Sequence, residues 1–278
     1  MRAVFDRLIS WTGLLIGVVL IVAGGLLTWA SSFIGDQVKA QFSDQQIIMP
    51  SGAGLAALPE ADQKELKPFA KDGTNLLDTG PEAKAYANHY IAVHMNEAGE
   101  VFLARAKSLG VTAIPGKGSD PATPMPAQMN YANASNIAGA VTAAATGLPA
   151  ADPKTVCKTD STDPSGNTIS CTTADGQTSS INCPVAADAD KRMCLTTLAA
   201  DITAGRTNTF LTGNTLRGLL LYGYAFATMG TLAGIAAILA YIAGAVFIAL
   251  ALVGLWHASK AKAAAAPAAG PKAEPTKA

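Results

Sequence analysis

His89, His94, Glu97 and Glu100 are the side chains in this sequence best suited to chemistry. They fall together in HYIAVHMNEAGE, two imidazoles and two carboxylates. That composition could hold a metal ion or run general acid–base catalysis. The spacing argues for something plainer. Five residues place His89 and His94 about 140° apart around a helix, whereas helical metal pairs use a spacing of three or four, as in HExxH. One histidine facing a core and one facing solvent is the expected arrangement, and an enzyme built on His89, His94 and Glu97 is the minor alternative. Two other stretches imitate binding motifs. GVTAIPGKGS has five residues between Gly110 and Gly116, and Gly118 stands where a phosphate loop needs Ser or Thr. DSTDPSGN is rich in oxygen side chains but lacks the glutamate that closes a calcium loop. Asn133 opens an NAS sequon. No nucleophile stands at a recognisable spacing from a base. The expectation is a non-enzymatic protein with no catalytic, cofactor-binding or metal-ligating residues.

Other elements must carry whatever work the chain does. The four cysteines, Cys157, Cys171, Cys183 and Cys194, lie in a Thr-, Ser- and Ile-rich stretch cut by DPSGN and ADGQ. Those turn signals predict a small β-meander over residues 155–184. The cysteine intervals carry no CxxC, so disulfides are favoured over zinc. Three pairings are open. A turn at Pro164 to Gly166 would join Cys157 to Cys171 and leave Cys183 for Cys194. Around this insert the sequence predicts helices. A short turn is expected at Glu60 to Leu66. A longer helix starts near Asp78 or Thr79 with Pro81 and Glu82 in its first turn, and Gly99 ends it. A second helix runs from Val101 to Leu109. Residues 111–130, with four prolines, read as a loop. YANASNIAGAVTAAATGL reads as a helix of small residues, and Leu195 to Ala204 as a helix ending at Gly205.

The apolar residues gather at the two ends of the chain. Half of its 278 residues are hydrophobic and only 14 % are charged, against roughly 25 % in soluble domains. Residues 8–34 form one apolar segment, and residues 216–256 form another with Arg217 as its sole charge. A crossing needs about 20 apolar residues, so the second run is twice as long as required. It admits two readings: one long helix whose C-terminal part, Thr231 to Trp256, is the crossing, or a hairpin turning near Gly230. Arg2 and Arg7 precede the first segment, and Lys260, Lys262, Lys272 and Lys277 follow the second. The positive-inside rule then places both ends in the cytoplasm, which favours the long helix. The first core is longer than that of a signal peptide, so an anchor is favoured over a cleaved leader, although Ala30, Ser31 and Ser32 would suit cleavage. The expected layout is a cytoplasmic N-terminus (1–7), a first transmembrane helix (8–34), an extracytoplasmic region (35–215), the long helix (216–256) and a disordered cytoplasmic tail (257–278). Trp11, Trp29 and Trp256 suit the membrane interface, as do Arg217, Tyr222 and Tyr224 where the long helix emerges. Each apolar segment carries GxxxG, Gly13 to Gly17 and Gly230 to Gly234, a spacing that lets membrane helices approach closely. The pairing partner is either the other helix of the same chain or another copy.

From Gly35 to Phe210 there are 18 acids against 13 bases. A net −5 argues against nucleic acid as a partner. The partners expected are the lipid bilayer and either further copies of the chain or a membrane protein complex.

Three stretches also resemble a known family. They are GLLIGVVLIVAGGLLTWASSFIGDQVKAQFSDQQIIMP, GPEAKAYANHYIAVHMNEAG and TFLTGNTLRGLLLYGYAFATMGT, in that order and covering about a third of the chain. They are similar to two-pass actinobacterial membrane proteins of unassigned function, often labelled aromatic ring-opening dioxygenases. The resemblance implies a two-pass topology in the cell envelope. It does not imply the activity, because such dioxygenases hold iron with histidines and a carboxylate on a soluble fold, and His89, His94 and Glu97 in the second stretch do not have the spacing of such a set. The chain departs from the family after Gly99, where a Gly-Gly-Lys-Thr-Tyr-like run is missing, and in its additional cysteine-rich insert. The fold class expected is mainly α: two long antiparallel transmembrane helices with a helical extracytoplasmic domain and a disulfide-stapled β insert. Such a chain would act in assembly, as accessory subunit, scaffold or homo-oligomer. The alternative is a pore or passive transport component of several copies, with Thr12, Thr28, Thr228 or Thr231 lining a path.

Overall fold

Nothing in residues 2–44 breaks a helix, and the chain there forms one. A computed structural model describes residues 2–71, 73–116, 120–150 and 152–264. It divides into two compact units, Met1–Gln45 with Ala225–Ala278, and Gln46–Tyr224. In the first unit, helix α1 runs Arg2–Asp44, about 65 Å by its rise per residue. It pairs with the later turns of helix α8, Thr212–Ala264. Both helices are long and apolar enough to span a membrane. The hairpin reading fails, because α8 passes through Gly230 without a break. The disordered tail also needs correction: His257 to Ala264 continue the helix, and the rest of that tail lies outside the described residues.

The pair is antiparallel. Close approaches link Gly13 to Ala251, Gly17 to Gly244 and Ile248, Gly24 to Tyr241, Ser31 to Gly234, and Ile34 to Gly230. As the position on α1 rises, its partner on α8 falls, to within one helical turn of the same amount.

The second unit is built on two long helical stretches. One consists of α4, Gly80–Tyr86, a π turn at Ala87–Ile91, and α5, Ala92–Ser108. The other consists of α7, Asp188–Gly205, a π turn at Arg206–Leu211, and the first turns of α8. Short helices α2, Gly52–Ala56, and α3, Glu60–Leu66, precede them. Helix α6, Tyr131–Thr146, packs on α7. Its alanines, Ala134, Ala138, Ala140 and Ala145, are buried and bring α7 close, and Ile137, Val141, Leu195, Leu198 and Ile202 fill the core between them. One glycine read as a helix end is not: Gly99 lies inside α5, where a Cβ would stand 3.0 Å from the Met129 carbonyl oxygen. Gly205 does close α7, ahead of the π turn, and a Cβ there would stand 2.8 Å from the Phe102 ring. A glycine costs a helix roughly 0.5–1 kcal/mol, and here close packing requires it. The proline-rich loop contains a two-rung ladder of β1, Ala113–Ile114, and β2, Thr123–Pro124. Lys117 to Ser119 of the phosphate-loop imitation lie outside the described residues.

Helix starts follow side-chain chemistry. Thr79 caps α4 with Glu82 in a reciprocal box, and Asn130 caps α6 with Asn133. Glu82 is buried. Burial alone would raise its pKa, but the amide protons of Asp78 and Thr79, the Asn75 side chain and the Thr79 hydroxyl outweigh it and hold the carboxyl below the usual range.

The cysteine-rich insert is a three-stranded antiparallel meander of β3, Val156–Thr159, β4, Thr168–Thr172, and β5, Thr178–Asn182. Its register sets Cys157 opposite Cys171, and these two are bonded, as are Cys183 and Cys194. The second bond ties the end of β5 to α7 across a sequence separation of 11. Replacing both its cysteines by serine should cost about 2–3 kcal/mol, read from urea unfolding; a loss below 1 kcal/mol would contradict this.

The β3–β4 turn is fixed by Asp163. Its carboxylate accepts hydrogen bonds from the Ser165 hydroxyl (2.6 Å), the Ser165 amide (2.9 Å) and the Thr168 amide (2.8 Å). The Ser165 hydroxyl and Thr168 lead in lowering its pKa to about 2. A depressed folded pKa gives stability that is complete above the unfolded value of about 3.9 and is lost as pH falls through about 2. Carbon-detected NMR of the Asp163 carboxyl should therefore show a midpoint near 2. A midpoint at the ordinary aspartate value would mean the turn bonds are absent.

Candidate functional site

Gly13, Gly17, Gly230 and Gly234, picked out by GxxxG, all face the partner helix of the same chain. They are only part of the contact. Ser10, Gly17, Gly24 and Ser31 recur every seven residues on α1, and Gly230, Ala237, Gly244 and Ala251 do so on α8. All but the half-buried Ser31 are buried. A strict seven-residue repeat keeps one stripe facing the partner and implies a left-handed supercoil. Small side chains on that stripe let the backbones approach. At Gly17 a Cβ would stand 3.0 Å from the Gly244 carbonyl oxygen and 2.6 Å from the Ile248 side chain. The one large polar group on the stripe is Tyr241, whose ring covers Gly24. Thr28 donates its hydroxyl proton to the Gly24 carbonyl, so the Tyr241 hydroxyl donates to Thr28 at 3.2 Å. The period of seven was readable in the sequence; of its positions GxxxG samples only Gly17 and Gly230.

The outer faces are the reverse. Trp11, Leu15, Leu26, Trp29, Phe226, Leu232, Leu250 and Trp256 are exposed. Three of the four expected pore-lining threonines direct their hydroxyls to their own helices. Thr12 bonds the Leu8 carbonyl, Thr28 that of Gly24 and Thr231 that of Ala227.

A second cluster lies in the Gln46–Tyr224 unit. Arg217 donates from Nε to the Ala87 carbonyl (3.0 Å) and from Nη2 to the Asn88 side chain (3.1 Å). Ala87 opens the π turn. Lys84 stands 5.0 Å from the Tyr224 ring. Arg217 and Tyr224 thus join α8 to the α4–α5 stretch, while Tyr222 is exposed. No family model, curated protein or solved structure matches this chain.

The histidines do not converge. His89 Nδ1 lies 2.8 Å from Asp62 on α3, and His94 Nδ1 lies 3.2 Å from Glu97. Tyr86, Tyr90 and His94 follow one another along one face as tilted ring pairs, with centroid separations of 4.8 and 4.4 Å. Burial, then the neighbouring Tyr90, raises the Tyr86 pKa. Among the described residues no three His, Cys, Asp or Glu side chains are placed to hold a metal ion. This face ties α3 to α4 and α5.

One polar cluster had no sequence signal. Arg105 on α5 is 6 % exposed in its side chain and donates to Asp201 on α7 (2.9 Å) and to Thr159 on β3 (2.9 Å). Thr159 also donates to Asp201. Gly166, at φ +66°, lies against the Arg105 stem, and a positive φ with no room for a Cβ requires glycine there. Residues 96 positions apart leave no pattern by which to foresee the pair.

Proposed function

We propose that this chain is a two-pass integral membrane protein of the cell envelope. On this reading α1 and the later part of α8 cross the bilayer as a pair, both ends are cytoplasmic, and the Gly35–Thr215 region is extracytoplasmic. Its role is assembly, as an accessory subunit or scaffold, rather than catalysis.

The observation that carries the reading is the inverted burial of the helix pair. Small residues face inward and large apolar ones face outward. In water each large side chain left exposed forgoes about 1.5–3 kcal/mol, and a pair joined by glycine, alanine and serine offers little hydrophobic burial in return. In lipid the outer residues are solvated and close packing of small residues becomes the attractive force. Basic residues beyond each apolar segment support cytoplasmic ends, and two disulfides support an oxidising compartment for the rest. The glycines of both GxxxG motifs are engaged within one chain, so a further copy or partner would meet the outer faces.

Reporter fusions test the topology. A fluorescent protein fused after Ala278 should be bright, and alkaline phosphatase inserted between Pro121 and Thr123 should be active. An active phosphatase at the C-terminus would overturn the reading. Native mass after mild detergent extraction tests the role: a discrete complex supports assembly, and a lone monomer with no partner contradicts it.

A further inference from the structure

A groove of about 630 Å³ opens along one side of the helix pair, where α1 begins and α8 ends. Ile9, Gly13, Phe247 and Leu250 give it apolar walls, Gly254 meets Ser10 beside it, and His257 lies at its end. From Phe247 to His257 the helix rises about 15 Å. That is the depth of one leaflet of a roughly 30 Å hydrocarbon core, so the groove has the length of one acyl chain.

Its end is cationic. The antiparallel register that sets Gly13 against Ala251 and Ser10 against Gly254 brings Arg7 level with His257. Lys260 holds its ammonium 4.0 Å from the Trp256 ring centroid. An apolar slot one leaflet deep, with His257 at its end and Arg7 and Lys260 within a turn of that end along their helices, matches an acyl chain joined to a phosphate. Each cation near an anionic headgroup adds attraction that a zwitterionic one does not supply.

We propose that this groove binds an anionic phospholipid, with one acyl chain along Leu250 and Gly13 and the phosphate held by Arg7, His257 and Lys260. The inference rests on the membrane reading above. Native mass spectrometry of the full chain in detergent tests it, with phosphatidylglycerol and phosphatidylcholine of identical acyl chains as probes. The wild type should retain phosphatidylglycerol on the order of tenfold more strongly. Arg7→Gln with Lys260→Gln should abolish that preference, and Leu250→Trp, which fills the slot from an exposed position, should weaken both lipids. Equal retention of the two lipids by the wild type, an undiminished preference in the charge variant, or a lipid-free dimer would overturn the proposal. Flotation with vesicles separates the two failures. A chain that floats but shows no preference refutes the groove alone; a chain that does not float refutes the membrane reading and the groove with it.

Discussion

Replacing Gly17 by leucine is expected to force the two apolar helices apart. The neighbours that a side chain would meet include backbone: the Gly244 carbonyl oxygen at 3.0 Å and the Ile248 nitrogen at 3.1 Å from a Cβ. Backbone cannot rotate away as a side-chain end can, so the axes must separate or slide. Overpacking costs typically 1–3 kcal/mol, and a rigid obstacle at the middle of the stripe puts this case at about 3 kcal/mol or more. Gly35→Leu is the matched control, since nothing lies within 4 Å of a Cβ there. The readout is a cysteine pair introduced as Ser10→Cys and Gly254→Cys, whose positions touch in the native pair. Oxidation in detergent should link the helices quickly in the parent and in Gly35→Leu, and at least tenfold more slowly in Gly17→Leu. Equal rates in all three would mean that the small-residue stripe does not hold the pair.

The elements that could be foreseen are those whose cause is local or periodic. Thr79, Pro81 and Glu82 announce the start of α4, because capping and dipole effects act within one turn. The turn at Pro164 to Gly166 implied the Cys157–Cys171 pairing, because a hairpin register follows from its turn. The unbroken run to Trp256 implied one helix, because no residue in it stops one. Elements that escaped notice have distant causes. Gly99 was expected to end a helix on local propensity, which close contact with Met129 overrides. The π turns at Ala87–Ile91 and Arg206–Leu211 each insert a wider turn into a helix that continues. The Ala87 carbonyl then accepts Arg217 from 130 positions away, and no window of sequence contains both. The interhelical stripe lies between these cases. Its period of seven is written in the sequence, but a search for GxxxG finds Gly13, Gly17, Gly230 and Gly234 and passes over Gly24, Gly244 and Ala251.

Asp201→Ala should strongly destabilise the Gln46–Tyr224 unit. It leaves the Arg105 guanidinium buried, with Thr159 as its remaining side-chain partner among the described residues. Breaking a buried pair from one side costs about 3–5 kcal/mol; Asp201 is 30 % exposed, which places this case near the lower end. Arg105→Met should cost less, because the carboxylate it strands can take up water while the methionine refills the space. The double variant should therefore lie within about 1 kcal/mol of Arg105→Met, since the buried charge is gone in both. The damage should also be local. Arg105 and Asp201 hold β3 to α5 and α7, whereas the two disulfides still join β3 to β4 and β5 to α7. Amide exchange in β3 should thus accelerate while the α6–α7 core, centred on Ile137 and Leu198, keeps its protection. Uniform loss of protection would mean that the ion pair supports the whole unit; unchanged exchange in β3 would mean that the disulfides alone position the sheet.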